Sequence, residues 1–318
     1  MASESLSSPS DWLRASRCKD DLRIALEHVN DARSNMPSED RLQACDHYFK
    51  ALNRLWGAAL RAEQDGAGGH IDAGGSGDSA AFARLLKTLG APEQQWLLGR
   101  PSVQHLASFE PPILDHSQKG MLHPGHEIPE GVRDKASQQH REFANKWRQW
   151  RASGSQQVAV LRSLARVLYV VRSNLAHGEK TVHGPDFQRA DRNRSVARVV
   201  MPVVEDVIDA VLGHPSHRLI AYGTIRPGQP NHALVASLAG SWIQVLIPGV
   251  LREEDGLPSF RWTLRGSWVE AHLLESPSLP DELERLDDFE GPAYARRLAI
   301  YRVDGVCGVG NLYETREH

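Results

Sequence analysis

Cysteine is scarce in this chain: Cys18, Cys45 and Cys307 are too few and too scattered for a disulfide framework or a cysteine-based zinc site. Long apolar runs are missing as well. No stretch approaches the roughly 20 apolar residues needed to cross a bilayer. The start, Met1 to Ser10, lacks the cationic opening and apolar core of a secretory signal. A cytoplasmic protein with no membrane contact is expected. Lysine is absent from His217 onward, where ten arginines face fourteen acidic side chains; the rest of the chain sets 27 basic residues against 26 acidic ones. Neither part has the broad basic excess of a constitutive nucleic-acid binder, so any RNA contact has to be local. No internal repeat is visible. What remains, 41% hydrophobic and 24% charged over 318 residues, is the composition of a globular protein long enough for two domains, each with its own core.

The first two-thirds has a helical period. Pro37 and Ser38 mark a helix start, and Leu42, Cys45, Phe49, Leu52, Trp56 and Leu60 then trace one face in steps of three and four. Gln64 to Ser79, rich in Gly, Ala, Asp and Ser, reads as a flexible loop. A short apolar segment covers Phe82 to Leu89, and Pro101 to Pro129 reads mostly as loop. Within that stretch His116, His123 and His126 stand near Asp115 and Glu127, but a loop without helical framing is a poor zinc site, and none is assigned. Helices resume over Val132 to Trp150 and Gln156 to His177, the second with a stripe of Val158, Leu161, Leu164, Leu168, Val171 and Leu175 and with Gly178 as its stop. A last helix, carrying Val196, Val200, Val203, Val207 and Val211, runs to about Leu212; Pro202 inside it should kink it or mark its true start. Gly213 and Pro215 end the pattern, placing a domain boundary at 213–217 between an all-α domain, 1–214, and a second domain, 217–318.

Beyond the boundary the period shortens. Leu219–Tyr222, Trp242–Val250, Phe260–Leu264, Trp268–Leu274, Leu298–Val303 and Val306–Tyr313 are strand signals. Pro280 to Phe289 is a helix, with an acidic first turn and Leu283 and Leu286 at helical spacing. The second domain is therefore α+β. Its first strand leads into Tyr222-Gly223-Thr224-Ile225-Arg226-Pro227-Gly228-Gln229-Pro230-Asn231-His232, ahead of a helix expected over Asn231 to Leu238. Glycine and proline there force a tight loop whose N–H groups can converge on an anion such as a carboxylate, although a plain strand, turn and helix cap has the same letters. Further on, Leu286-Asp287-Asp288-Phe289-Glu290-Gly291-Pro292 puts a carboxylate where a helix passes into a Gly-Pro turn, followed by Tyr294 and Arg296.

Together these two stretches resemble the γ-glutamyl cyclotransferase superfamily, in particular its γ-glutamylamine branch and the avirulence-induced-gene-like members. Tyr222, Gly223, Thr224 and Ile225 match the family's opening loop, with Ile for Leu; residues 228–232 fit the same branch, as do Leu286, Asp287, Glu290, Gly291, Tyr294 and Arg296. Ala271 departs from the pattern, standing where a glycine is expected, and would narrow the pocket mouth. The resemblance covers about residues 217–314. It implies a small mixed β-barrel with helices, and a reaction in which a substrate's α-amine attacks its own γ-amide to form 5-oxoproline. Glu290 would be the acid/base, with Tyr222, Gly223, Thr224, Ile225 and Tyr294 binding a small γ-glutamyl compound. That chemistry needs no metal or organic cofactor.

The helix ending at His177 reads Arg172-Ser173-Asn174-Leu175-Ala176-His177. This resembles the Arg-x4-6-His signature of the HEPN superfamily, helical bundles that often pair. The resemblance implies a homodimer and metal-independent RNA cleavage by Arg172 and His177, with Asn174 between them. Cations at a helix C-terminus also have an ordinary capping reason. The expected protein is thus a HEPN-like helical domain fused to a cyclotransferase-like domain. The alternatives are a stress or defence ribonuclease whose second domain senses a metabolite, and a non-catalytic interaction protein.

Overall fold

The computed structural model describes residues 19–34, 41–64, 78–115, 130–176, 187–254 and 257–316. The chain divides into two compact units, Glu27–Val211 and Leu212–His318 together with Met1–Leu26.

The first unit is helical: α1 (Lys19–Ser34) from Glu27 onward, α2 (Arg41–Gln64), α3 (Asp78–Lys87), α4 (Ala91–Gly99), α5 (Pro101–Ala107), α6 (Glu130–Ala136), α7 (Gln138–Ser153), α8 (Gln157–Ala176) and α9 (Phe187–Val211). Helices α3 and α7 pack on α8, and α2 and α5 pack on α9. The apolar stripes are what they bury. Cys45, Phe49 and Leu52 of α2 are buried, as are all five valines expected on α9; the side chains of Leu42 and Leu60 lie outside the described residues. Leu161, Leu164, Leu168 and Val171 fill the core side of α8, but Val158 is 47% exposed. It sits in the first turn of α8, and the buried face begins only at Val160. The polar face of α9 is also anchored: Asp206 accepts from Arg100 Nε at 2.9 Å and from the Ser102 hydroxyl.

Proline explains two departures from the sequence reading. Most of 91–107, partly assigned to loop, is the helix pair α4 and α5, because Pro92 and Pro101 occupy first-turn positions where a missing N–H breaks no helical bond. Pro202 neither starts nor ends α9, which continues on both sides of it, with the proline ring exposed. The stretch taken as one helix from Val132 is two, parted at Ser137, whose N–H still bonds Arg133 O at 3.0 Å. Asp78 and Ser79, assigned to loop, open α3; the rest of that loop, 65–77, lies outside the described residues, as do His116, His123, His126 and Glu127.

The second unit is a six-stranded sheet, β1 (Arg218–Ala221), β2 (Ser241–Glu254), β3 (Leu257–Trp262), β4 (Ser267–Glu275), β5 (Tyr294–Val303) and β6 (Val306–Thr315), with α10 (Leu279–Glu290) between β4 and β5. The strand order is β3-β2-β4-β1-β6-β5. A pairing of Leu246 with Arg302 joins β2 to β5 and closes the sheet into a small barrel. Strand β1 is central, antiparallel to β4 and parallel to β6, and buried at all four positions. Side-chain alternation divides its two faces. Ile220 joins Val245, Ile247, Phe260, Leu273 and Leu312 inside the barrel, while Leu219 packs with Leu279, Leu283 and Leu286 of α10. Each of those leucines is worth about 1.5–3 kcal/mol on burial, enough to hold α10 against the sheet. Asn311 of β6, fully buried, donates to Pro215 O at 2.7 Å and Arg218 O at 3.3 Å and so fixes the entry to β1.

Candidate functional site

Strand β1 ends at Ala221, and the chain then turns out of the barrel through Tyr222 to Asn231. Two residues at the far end of this loop hold its shape. The Asn231 N–H reaches Thr224 O at 3.0 Å, its side-chain amide donates to Thr224 Oγ1 at 2.9 Å, and His232 Nδ1 lies 3.1 Å from Ile225 O. His232 in turn rests on Trp242, with ring centroids 5.5 Å apart. The expected helix over Asn231–Leu238 is only a single 3₁₀ turn, His232–Leu234. The loop's polar side chains are committed to closing the turn rather than to capping a longer helix. Among the described residues no backbone hydrogen bond engages the N–H groups of Gly223, Thr224 or Ile225. Gly223 sits close to the neighbouring strand: a Cβ there would lie 3.1 Å from Pro258 Cγ, a tight contact that one of the two would have to relieve.

The second wall comes from the end of α10. Gly291 has φ 66°, a left-handed conformation that stops the helix, and its N–H bonds Asp287 O at 3.0 Å. Glu290, the last helical residue, therefore faces a cavity of about 60 Å³ that it shares with Tyr222, Gly223, Thr224, Ile225 and Tyr294. Pro258 and Tyr313 complete the wall. That space is several times the ~10–15 Å³ that one water occupies, and it suits an amino-acid-sized group. Glu290 is half-buried and makes no hydrogen bond or ion pair among the described residues; burial alone pushes its carboxyl up to about 7.

The neighbouring acid behaves differently. Asp287 receives both arms of the Arg296 guanidinium, at 2.8 and 3.1 Å, and the Tyr313 hydroxyl at 2.7 Å. Asp287 and Arg296 were matched in sequence only as letters; here they lock α10 to β5 and β6. Tyr313 had no signal in the sequence beyond being a strand aromatic. Tyr222 lines the cavity, with its hydroxyl committed to Tyr313 O at 2.8 Å and its ring packed on Phe260 at 5.0 Å. Burial, with nearby Tyr294 and Glu290, raises the Tyr222 phenol well above its ordinary range, so it stays neutral. Tyr294 lines the cavity and also packs on the leucine cluster beneath α10. Ala271 does not reach the mouth: it is fully buried inside the barrel, paired with Val245. Strand register hides it.

On the helical unit Arg172 and Asn174 lie on the last turns of α8, and His177 is outside the described residues. Asn174 is buried and its amide donates to Leu114 O at 3.0 Å, a structural commitment. Arg172 faces the Asn53 amide, whose oxygen accepts from two guanidinium nitrogens at 3.3 Å when the amide is rotated. Among the described residues no helix is long and apolar enough to cross a membrane.

Residues 219–315 match the family described as gamma-glutamyl cyclotransferase, AIG2-like. No curated protein matches the chain. Solved structures similar to it include YkqA from Bacillus subtilis, 23% identical over 31% of this chain and 36% of that one, with a TM-score of 0.27. The chain thus spans about a third of the length of the Bacillus protein. An AIG2-like protein from Mus musculus is 23% identical over 32% of this chain and 78% of its own, with a TM-score of 0.27. An uncharacterized protein from Pyrococcus horikoshii is 22% identical over 32% and 79%, with a TM-score of 0.26.

Proposed function

We propose that the second unit is a γ-glutamyl(amine) cyclotransferase-like enzyme that forms 5-oxoproline, with Glu290 as its acid/base. One observation carries the reading: Glu290, whose carboxyl is pushed up to about 7 and has no hydrogen bond or ion pair among the described residues, shares a small cavity with Gly223, Thr224 and Ile225, whose N–H groups make no backbone hydrogen bond among those residues. A solvated carboxylate near 4.5 would be too weak a base for an ammonium; desolvation brings Glu290 close to the operating pH, where proton transfer is most effective. The N–H groups of Gly223, Thr224 and Ile225 are suited to the substrate's α-carboxylate, which would set the α-nitrogen beside Glu290. Glu290 takes a proton from the α-ammonium, the freed amine attacks the γ-carbonyl carbon, and the amide C–N bond breaks as Glu290 passes that proton to the departing nitrogen. The attacking nitrogen sheds its second proton, which leaves with the released amine, so a five-membered lactam and an ammonium result. Ring closure depends mostly on geometry, which the closed turn and the helix stop supply.

The test is 5-oxoproline release from a panel of γ-glutamylamines, with Glu290→Gln as the control. Release surviving that substitution would sink the mechanism. The proposal extends to the helical unit as a HEPN-like module that pairs in a homodimer and meets RNA through Arg172 and His177. Because Asn174 is held by Leu114, phosphate chemistry would fall to the other two. Replacing both by Ala should remove any RNA cleavage.

A further inference from the structure

Three side chains that neither proposed reaction uses, His28, Asp31 and His47, come together in the helical unit. His28 and Asp31 are three apart on α1 and so share a face; His47 projects from α2. The ligand-capable atoms of the three lie within 4.8 Å of one another. His47 Nδ1 is 3.6 Å from Asp31 Oδ2, and the two imidazole centroids are 5.8 Å apart and tilted by 56°. The Nδ1 atoms of both histidines are buried and bond nothing among the described residues. Two buried ring nitrogens without hydrogen-bond partners are costly in a packed core, and a carboxylate beside them does not by itself satisfy both.

We propose that His28, Asp31 and His47 bind one divalent transition cation of the zinc class, joining α1 to α2. Two imidazoles and a carboxylate are a borderline donor set suited to such an ion. Tetrahedral zinc places its ligand atoms about 3.3–3.5 Å apart. The Asp31–His47 separation is almost there, and side-chain rotation closes the rest. The Asp31 side chain is 52% exposed and that of His47 19%, so an ion can enter from solvent and the remaining position is open to water. Burial, His47, Lys50 and Arg54 together lower the His28 pKa against the pull of Asp31. Those cations would oppose an incoming ion, but Lys50 is neutralised by Asp46 at 2.6 Å.

The experiment uses the untagged full chain, stripped with chelator and titrated with zinc chloride in a calorimeter, and with cobalt(II) to read coordination from the visible spectrum. The chain has fifteen histidines, so the variants decide the site. One equivalent of zinc and an intense tetrahedral cobalt band are expected, both lost in the paired His28→Gln, His47→Gln variant. Asp31→Asn, at an exposed position that leaves the helices intact, should weaken binding at least about tenfold, the scale on which even outer-shell changes act. Absence of stoichiometric binding overturns the proposal, as does unchanged affinity in the Asp31→Asn protein or undiminished binding by a folded double histidine variant.

Discussion

Glu290 and Asp287 show how two acids three residues apart acquire opposite characters. Asp287 is held by a guanidinium fork and a tyrosine hydroxyl, while Glu290 has only low-dielectric surroundings. On that basis Glu290→Gln should cut 5-oxoproline formation by about 10²–10⁴-fold, the usual worth of a positioned acid/base. In the unmodified protein kcat/KM should climb with pH through an inflection near 7, where Glu290 becomes a carboxylate. The stability consequence has the opposite sign. The folded protein holds the Glu290 proton between pH 4.5 and about 7 while the unfolded chain has released it, so this residue lowers stability as pH rises through that window and is flat on either side. Thermal melts should therefore show Glu290→Gln gaining on the parent protein from pH 4.5 to pH 7. Asp287→Asn should instead cost about 1–3 kcal/mol by leaving the Arg296 fork and the Tyr313 hydroxyl poorly matched, seen as a lower melting temperature.

At the level of elements, the cavity is made by two chain reversals, the turn after β1 and the stop of α10. Gly291→Ala puts a side chain at φ 66°. It should destabilise by about 1 kcal/mol and lower kcat more than it raises KM, because the end of α10 carries Glu290 but not the N–H groups of the turn. Equal losses in both parameters, or none, would detach Glu290's position from the helix stop. Much at this scale was legible beforehand. The alternation of β1 to β6 and the Leu283/Leu286 spacing of α10 are local patterns set by a strand's period and a helix's turn. Less legible were the short helices α4 and α5, where proline is harmless in the first turn, and the 3₁₀ turn at His232–Leu234, where Asn231 and His232 bond back to the loop. A single residue type permits both outcomes, and the partner that chooses lies elsewhere in space.

For the whole molecule, the proposed chemistries reside in different compact units, so they should be separable. Glu290→Gln should leave RNA cleavage at its parental level, and the Arg172→Ala, His177→Ala pair should leave 5-oxoproline release unchanged; assaying both activities on both variants checks this. A loss that crosses from one unit to the other would show that the two act as one device. By itself the sequence determined the change of period after Gly213, the helical character of what precedes it and the strands that follow. These follow from hydrophobic spacing and from residues whose backbone preferences are strong on their own; the pairing of a Tyr-Gly-Thr-Ile turn with a helix-terminal acid is what the family resemblance implies. Only the tertiary structure decided that Tyr222 commits its hydroxyl to Tyr313 O, that Ala271 is walled off in the barrel, that among the described residues Glu290 rather than Asp287 is left without a partner, and that His28, Asp31 and His47 meet. Each depends on desolvation and on contacts between residues far apart in the chain, quantities set only once the strands have paired and the helices have packed.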